Sequence, residues 1–467
     1  MTGLNSITNT KRIAFLLLKA KIGRFRPFFT FASGAAGVFF VSRLLEVNFI
    51  LPVFLLSLVL LFGSLYKNSS SKPYSLLNLT FLYILVFAGA YFVIQNKVSL
   101  FYTPFCLISM LAIILFDETV ISFLLTLAAA VTVSILAGNN LAAGIVFLTS
   151  GTVAIIMTKG ARKRSTVINA GIAAGIIQAV LLFFTRGLLL RDPAEYIIAP
   201  VNGLACGIIV LGILPIFEHL FKTITNISLL ELADFNHPLL NRIMLEAPGT
   251  YHHSLIVGNL ADAACRAVGA NSLLARIGAY YHDAGKLAKP GYFSENQDLA
   301  NNKHEELSPT ISRLIIMNHV KEGVELARKH HLSPILVDFI QQHHGNSLVY
   351  YFYRKALESL EADQELKEEG FRYPGPKPDT KEKAIVMLAD AVEATVRALK
   401  EPTPARIEEV VHKIRNNKFI DGQLDECDLT LKDLEKIAGV FIRVLSGIYH
   451  ARIDYRENTP PNGTQTG

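Results

Sequence analysis

The chain has 467 residues, of which 51% are hydrophobic and only 18% charged, and its net charge is +6. Such a chain is too long for one ordinary hydrophobic core and too apolar for a disordered protein. Residues 1–222 contain 17 Lys and Arg against 6 Asp and Glu, whereas residues 223–467 contain 28 against 33. Because the positive excess lies between apolar runs, the chain fits neither an ordinary soluble globule nor a protein that binds nucleic-acid polymers.

The first half contains eight apolar runs of about the length that a membrane-spanning helix needs, roughly 20 residues. They lie at 28–45, 49–66, 76–96, 100–116, 118–138, 141–158, 167–185 and 197–221. Seven spans are also possible, because the hinges at 46–48 and 117–118 are short. The sequence therefore predicts a polytopic transmembrane helix bundle over residues 28–221, in contact with the lipid bilayer.

The basic residues predict the topology of this bundle. Residues 1–27 form a leader with six Lys and Arg and no signal-peptide cleavage site. Basic residues also follow the second span and, at 159–164, the sixth span. The positive-inside rule places all three segments in the cytoplasm, and eight spans return the chain there at Lys222. No outer loop is long enough for a folded domain, so we expect no large extracellular domain.

From Ile224 onward, the pattern changes to amphipathic helices separated by polar breaks. Ser308 and Pro309 begin a helix, Gly345 ends one, and the Pro- and Gly-rich run 374–378 forms a loop. We predict a connector at 222–234, an all-helical cytosolic domain at 235–455 and a disordered tail at 456–467. The predicted fold class is therefore all-α.

Four cysteines occur at wide spacing, and none of them forms a CxxC pair. This spacing argues against a disulfide framework and against a zinc ribbon. We therefore expect a reducing compartment for the polar half. The four residues are Cys106, Cys206, Cys265 and Cys427.

Twelve of the thirteen histidines lie in the polar half, several on helix faces that look buried, where an unpaired imidazole is costly. His253 shares its face with Val257 and Leu260, so it is a better inward ligand than His252. Asp390 interrupts the apolar run 384–389, where a carboxylate needs a cation. The candidate ligands are His253, His282, Asp283, His319, His343, His344 and Asp390.

Five imidazoles and two carboxylates are the ligand types of a transition-metal site rather than of a calcium site. They suffice for two ions that share a bridging carboxylate, an arrangement that activates hydroxide for phosphoryl transfer. Lys286, one turn after Asp283, could then neutralise a phosphate oxygen.

The remaining histidines are interpreted as structural or surface residues. His330 and His331 follow Lys329 at a helix end, where the helix dipole favours a cation. His304 lies in a polar run and is expected near the site without being a ligand. The isolated histidines, which are expected at the surface or in an interface, are His219, His412 and His450.

The series formed by His253, the pair His282 and Asp283, and Asp390 resembles the H…HD…D signature of HD-domain phosphohydrolases. The additional His319, His343 and His344 resemble the dinuclear branch of these enzymes. Further stretches of sequence are similar to PgpH-type multi-spanning membrane HD proteins, which are bacterial phosphodiesterases of cyclic di-AMP. These stretches lie at 229–232, 236–240, 247–254, 280–283, 295–297 and 371–378.

The resemblance implies one iron or manganese ion held by His253, His282, Asp283 and Asp390. It implies a second such ion held by Asp283, His319, His343 and His344, so that Asp283 bridges the two. His282, Asp283 and Lys286 are then the implied catalytic residues.

The implied reaction is attack of hydroxide on one phosphodiester, which opens the ring of cyclic di-AMP to linear pApA. The resemblance also implies a multi-pass protein of the bacterial inner membrane with its catalytic domain in the cytoplasm, and by analogy a homodimer is expected. A phosphohydrolase of another nucleotide and a non-catalytic nucleotide-binding receptor remain alternatives. A transporter with a regulatory tail is disfavoured, because the predicted spans contain few charges.

The chain departs from the family pattern in two places. Relatives typically have a large external domain between their first two spans, where this chain has residues 46–48. The residue after Asp283 is Ala284, where many relatives have Ile. In addition, Gly345, Asn346 and Ser347 replace the Gly-Tyr-Pro triplet of the branch that acts on cyclic di-GMP, which argues against that substrate.

Overall fold

The computed structural model describes seven stretches of the chain, and it divides the chain into two compact units, residues 1–231 and 232–467. The predicted leader, first span, most of the second span and C-terminal tail lie outside the described residues. The described stretches are 55–56, 58–60, 76–96, 99–186, 194–297, 303–359 and 366–449. Within them the protein is all-α, as predicted, with a single β-bridge between Leu348 and Arg372.

Six apolar helices form most of the described part of the first unit, and they correspond to the predicted third to eighth spans. All except the second are long and apolar enough to cross a membrane. The helices are α1 Leu76–Gln95, α2 Cys106–Phe116, α3 Thr119–Leu136, α4 Leu141–Thr158, α5 Arg164–Arg186 and α6 Ala194–Phe221.

The predicted span 100–116 is not one continuous helix. Residues 100–102 form a 3-10 turn, and α2 begins only at Cys106. Pro104 explains the break, because proline restricts the residue before it to extended backbone, and Thr103 has ψ 126°. With 11 residues, α2 alone is shorter than a spanning helix needs, so the predicted span 100–116 consists of the 3-10 turn and α2 rather than of one continuous helix. All residues of α2 are buried, so it is an interior helix of the bundle.

Two amide side chains satisfy the backbone at this break. Asn202 Nδ2 donates to the carbonyl oxygens of Phe101 and Thr103 at 3.2 and 3.0 Å. Gln178 Nε2 donates to the same Phe101 oxygen at 3.1 Å. Non-helical backbone at membrane depth needs such protein partners, because no water replaces the missing hydrogen bonds.

The α4–α5 loop and the start of the connector lie at the same end of the bundle. Arg164, at the end of the basic loop, forms an ion pair of 2.5 Å with Glu231. The Glu218 carboxylate at the end of α6 accepts hydrogen bonds from Thr225 N and Ser228 Oγ, at 2.7 and 2.8 Å. The basic loop therefore lies at the end of the bundle where the chain leaves it.

The helices after α6 include the connector helix α7 and the helices of the second unit. In the second unit, α9 packs against α10, α14 and α16, and the apolar face of α9 is fully buried. The helices are α7 Asn226–Leu232, α8 Pro238–Glu246, α9 Pro248–Val268, α10 Ser272–Tyr281, α11 Pro309–Lys329, α12 Pro334–Gln342, α13 Tyr350–Glu358, α14 Lys381–Arg397, α15 Pro404–Ile420 and α16 Leu431–Ile448.

Candidate metal centre

The central helix α9 supplies the first histidine of the site. Pro248 begins α9 at a position where its missing N–H costs nothing, and Gly269 ends it in left-handed backbone. His253 is buried within this helix, whereas His252 is exposed. The apolar spacing around His253 therefore predicted the orientation of the helix correctly.

The next two polar residues lie at the turn after α10. His282 follows the last residue of α10, and Asp283 precedes a 3-10 turn at Ala284–Ala288. Gly285 allows this turn to approach α11, because a Cβ atom there would lie 1.8 Å from the carbonyl oxygen of His319. This close approach brings His319 next to Asp283.

The other ligand candidates come from α12 and α14. His343 and His344 follow the last residue of α12, and Gly345 then reverses the chain with a φ of 54°. Asp390 lies on α14, within a run of buried residues. All seven predicted ligands thus lie in one region of the second unit, in two groups.

The first cluster consists of His253, His282, Asp283 and Asp390. His253 Nε2 lies 3.1 Å from Asp390 Oδ1 and 3.6 Å from Asp283 Oδ2. His282 Nε2 lies 3.2 Å from Asp283 Oδ2. The donor atoms of the cluster lie within 4.8 Å of one another, which is close enough for one ion to contact all four.

The second cluster consists of Asp283, His319, His343 and His344, and its donor atoms lie within the same distance of one another. Here the other oxygen of Asp283 is used: Oδ1 lies 3.4 Å from His319 Nε2 and 3.6 Å from His343 Nε2. The Asp283 carboxylate therefore presents one oxygen to each cluster, which is the geometry of a bridging ligand.

Backbone carbonyls determine the tautomers of three histidines. The Nδ1 atoms of His282, His319 and His343 lie 2.7, 2.5 and 2.8 Å from the carbonyl oxygens of Ala279, Ile316 and Ile340. A carbonyl only accepts, so each Nδ1 carries the proton and each neutral ring has its lone pair on Nε2.

These lone pairs point at other acceptors. The Nε2 atoms of His319 and His343 lie 3.2 Å apart, so two lone pairs face each other. His282 Nε2 and Asp283 Oδ1 are buried without a hydrogen-bond partner among the described residues. A cation between these atoms would satisfy all of them, so the donor set fits two divalent metal ions.

The pKa shifts agree with such a site. Burial alone would lower the pKa of His282, but the Asp283 carboxylate raises it to about 10, so without a metal ion a proton on this ring provides the positive charge that the carboxylates need. Burial opposes ionisation of Asp283 as well, yet the charges of His282 and Lys286 hold its pKa well below the usual range. Burial lowers the pKa of His319 to about 4. Near neutral pH, Asp283 is therefore anionic and His319 offers a neutral imidazole.

A buried carboxylate that sequence reasoning missed supports the first cluster. Glu393 on α14 is fully buried, and its Oε2 accepts a hydrogen bond from His253 Nδ1. Outer-sphere carboxylates of this kind fix the tautomer and orientation of a metal-binding histidine. Glu393 lies three residues after Asp390, on the same helix face, and this spacing was the available signal.

Lys286 lies between two carboxylates. Its Nζ is 2.7 Å from Asp283 Oδ2 and 2.5 Å from Glu295 Oε1. Glu295 is a second residue that the sequence did not identify as functional. The positive charge of Lys286 is thus shared between the candidate ligand Asp283 and the neighbouring Glu295.

A cavity of about 700 Å³ lies beside both clusters, within the range of small-molecule sites. Candidate ligands and charged residues at its wall include Lys286, His319, His344, Asp390 and Lys418. Its aromatic wall consists of Tyr292, Phe293, Tyr351, Phe352 and Tyr373.

The other histidines of the described residues belong to neither cluster. His304 lines the cavity, and its Nε2 donates to the Tyr292 carbonyl oxygen at 2.8 Å. His330 caps the end of α11, as expected for a histidine at a helix terminus. His219 lies in the last turn of α6, His412 lies 3.8 Å from Glu408 on α15, and His450 lies outside the described residues.

Two family models match the chain. The model described as a 7TM receptor with intracellular HD hydrolase matches residues 47–225, a range that contains the seven predicted spans from 49 to 221. The HD domain model matches residues 250–395, which contain all seven ligand candidates.

Named relatives resemble the chain across both regions. It is 44% identical over 328 residues to the cyclic-di-AMP phosphodiesterase PgpH of Bacillus subtilis, covering 68% of this chain and 45% of that protein. It is 39% identical over 409 residues to PgpH of Listeria monocytogenes, covering 86% of this chain and 55% of that protein. The chain therefore spans about half the length of the curated relatives it matches.

Two solved structures of the L. monocytogenes PgpH HD domain, one of them in complex with cyclic-di-AMP, are each 48% identical to the chain. The matches cover 46% and 47% of this chain and the whole of each solved chain, and each has a TM-score of 0.44. The two family models, together with relatives of 39% and 44% identity, identify both parts of the sequence. The chain belongs to the PgpH-type family of multi-spanning membrane proteins with an HD domain.

Proposed function

We propose that the protein is a metal-dependent phosphodiesterase that hydrolyses cyclic di-AMP to linear pApA. The observation that carries this proposal is the Asp283 carboxylate, which presents its two oxygens to two clusters of histidines beside one cavity. PgpH proteins of two bacteria, named as cyclic-di-AMP phosphodiesterases, support the choice of substrate.

The residues of the site have two roles, metal binding and substrate binding. The seven histidine and aspartate residues would hold two divalent ions, which we propose to be iron or manganese. Bound ions would supply a nucleophilic hydroxide and stabilise the charge of a phosphoryl transfer. Lys286 stabilises the carboxylate of Asp283 and offers a positive charge to a phosphate oxygen at the cavity wall.

The cavity wall supports a nucleotide as the substrate. Five aromatic side chains line it, and the Tyr373 ring stacks on that of His344 with 4.3 Å between the centroids. Aromatic rings of this kind bind nucleobases by stacking. The cavity therefore combines aromatic rings that can stack on bases with lysines that can face phosphates.

We also propose the arrangement of the chain in the cell. The bundle over residues 28–221 lies in the bacterial inner membrane, and the HD domain over 235–455 lies in the cytoplasm after the connector at 222–234. The same end of the bundle carries the basic loop and the exit of the chain, which supports this topology. The homodimer stays a prediction.

Turnover by the full chain in detergent tests the proposed function. The protein is loaded with Mn²⁺ and incubated with cyclic di-AMP, and the products are separated by chromatography. We expect linear pApA, with slower turnover of cyclic di-GMP. A metal-loaded protein that hydrolyses only another nucleotide would support the alternative phosphohydrolase, and one that binds cyclic di-AMP without turnover would support the receptor.

A further inference from the structure

Two lysines line the cavity in the described part of the chain, and they differ in their contacts with carboxylates. Lys286 contacts both Asp283 and Glu295. Lys418, on α15, has no carboxylate oxygen within ion-pair distance among the described residues. In the described part of the chain, Lys418 is therefore a cavity lysine that no carboxylate pairs.

The position of Lys418 is fixed by a neutral partner. Its Nζ donates a hydrogen bond of 2.6 Å to Ser347 Oγ, and Ser347 is buried. An ammonium group has three donors, so this bond leaves two for another acceptor. Burial lowers the pKa of Lys418, although the Asp390 carboxylate opposes this shift. Placing an anion beside Lys418 would restore the stabilisation that burial removes.

The loop that carries Ser347 is itself held in place. Gln423 accepts from Asn346 N at 3.0 Å, and its amide donates to Asn346 Oδ1 at 2.6 Å. Arg372 donates to the Asn346 carbonyl oxygen at 2.9 Å. Because the loop follows directly after His344, Lys418 is held in a fixed position relative to the second cluster.

A cyclic dinucleotide contains two phosphodiesters, whereas the reaction cleaves only one of them. Given the proposed function, on which this inference rests, we propose that Lys418 binds the phosphodiester that is not cleaved. The phosphodiester that is cleaved then lies at the metal clusters. Lys418 is then a residue that selects substrates with two phosphates. A single phosphodiester needs only the metal clusters and does not use Lys418.

Two substrates tested on the full chain in detergent separate these roles. Cyclic di-AMP has two phosphodiesters, and bis(4-nitrophenyl) phosphate has one. For Lys418→Met we expect KM for cyclic di-AMP to rise about 10- to 100-fold, the effect of losing a charge-assisted hydrogen bond. We expect kcat to stay within about threefold, and hydrolysis of bis(4-nitrophenyl) phosphate to be unchanged.

Matched variants control for charge and for folding. Lys418→Arg keeps the charge and is expected to restore most of the affinity for cyclic di-AMP. Lys413→Met removes an exposed lysine from the same helix and is expected to leave both substrates unaffected. Metal content and thermal unfolding of each variant are measured on the same preparations.

Three outcomes overturn the inference. An unchanged KM for cyclic di-AMP in Lys418→Met shows that the lysine does not bind the substrate. Equal loss of activity on both substrates, with reduced metal content, shows that Lys418 only supports the structure of the site. A wild-type protein that cleaves bis(4-nitrophenyl) phosphate but not cyclic di-AMP overturns the proposed function, and the role of Lys418 with it.

Discussion

Asp283 is a single side chain on which both histidine clusters depend. Replacement by Asn keeps the size of the side chain but removes its charge and one of its two oxygen acceptors. We expect Asp283→Asn to bind fewer than about two metal ions per chain and to lose at least about 100-fold in turnover. Elemental analysis of the purified full chain and a product assay measure the two effects.

Asp338→Asn is a suitable control for this variant. Asp338 lies in the same unit, about half exposed, and its partner Lys383 retains a second carboxylate in Asp379. We expect wild-type metal content and turnover from this control. Asp283→Asn with two bound ions and normal activity would contradict the bridging role.

Glu393 provides a test of the first cluster that leaves every ligand in place. In Glu393→Leu, the Nδ1 proton of His253 loses its acceptor, so the imidazole is no longer held in orientation. We expect the affinity of the first cluster for metal to fall about 10- to 100-fold, whereas Glu393→Gln keeps an acceptor oxygen and loses less. Competition with a chelator measures these affinities.

Glu382→Gln is the matched control for Glu393→Gln, since it replaces another glutamate of α14 by glutamine. It keeps an oxygen that can accept from Asn271 N. Its metal affinity is expected to equal that of the wild type. The role of Glu393 would be refuted if Glu393→Leu released metal at the same chelator concentration as the wild type.

The sequence predicted the seven ligand candidates because histidines and aspartates on apolar helix faces are rare and costly without partners. It did not identify Glu393, since one glutamate on an amphipathic helix is usually exposed. Lys418 was missed for another reason: it lies 28 positions after Asp390 in the sequence. Only the packing of α15 brings it to the cavity.

At the scale of helices, the contact between the His-Asp turn and α11 depends on the absence of a side chain at Gly285. A Cβ atom there would lie 1.8 Å from His319 O and 2.4 Å from Gly323 N, both of them backbone atoms. We expect Gly285→Ala to destabilise the second unit by about 1–3 kcal/mol and to move His319 away from Asp283. Thermal unfolding and metal content report the two effects.

Gly439→Ala makes the same substitution where it is harmless. Gly439 lies inside α16, and a Cβ atom there meets open space. Alanine is the better helix former, so this variant is expected to be as stable as the wild type or up to about 1 kcal/mol more stable. Equal unfolding temperatures for Gly285→Ala and Gly439→Ala would show that the close approach is not required.

The interrupted span shows what hydropathy cannot predict at this scale. Residues 100–116 are apolar enough for a continuous helix, but Pro104 prevents one. The polar residues Gln178 and Asn202, which lie in neighbouring apolar runs, were the signal of a backbone break that needs hydrogen-bond donors. A search for amides within predicted spans would have found it.

For the whole molecule, the division into a basic apolar half and a mildly acidic polar half predicted the two units. The boundary lies between Glu231 and Leu232, inside the predicted connector. Charge alone could not show that Arg164 pairs with Glu231, because 67 residues separate them. That ion pair joins the basic loop to the segment where the chain leaves the bundle. The side of the membrane on which this loop lies can be tested by labelling.

The ends of α4 are expected on opposite faces of the membrane, because its 18 residues span about 27 Å. Cysteine labelling tests this in a Cys427→Ser background, which leaves the buried Cys106, Cys206 and Cys265. Leu141→Cys and Arg162→Cys then place an exposed thiol at each end of the helix. A membrane-impermeant maleimide should label Leu141→Cys in intact cells but Arg162→Cys only after permeabilisation, because the remaining basic residues keep that loop inside. Labelling of Arg162→Cys in intact cells would invert the topology and place the HD domain outside.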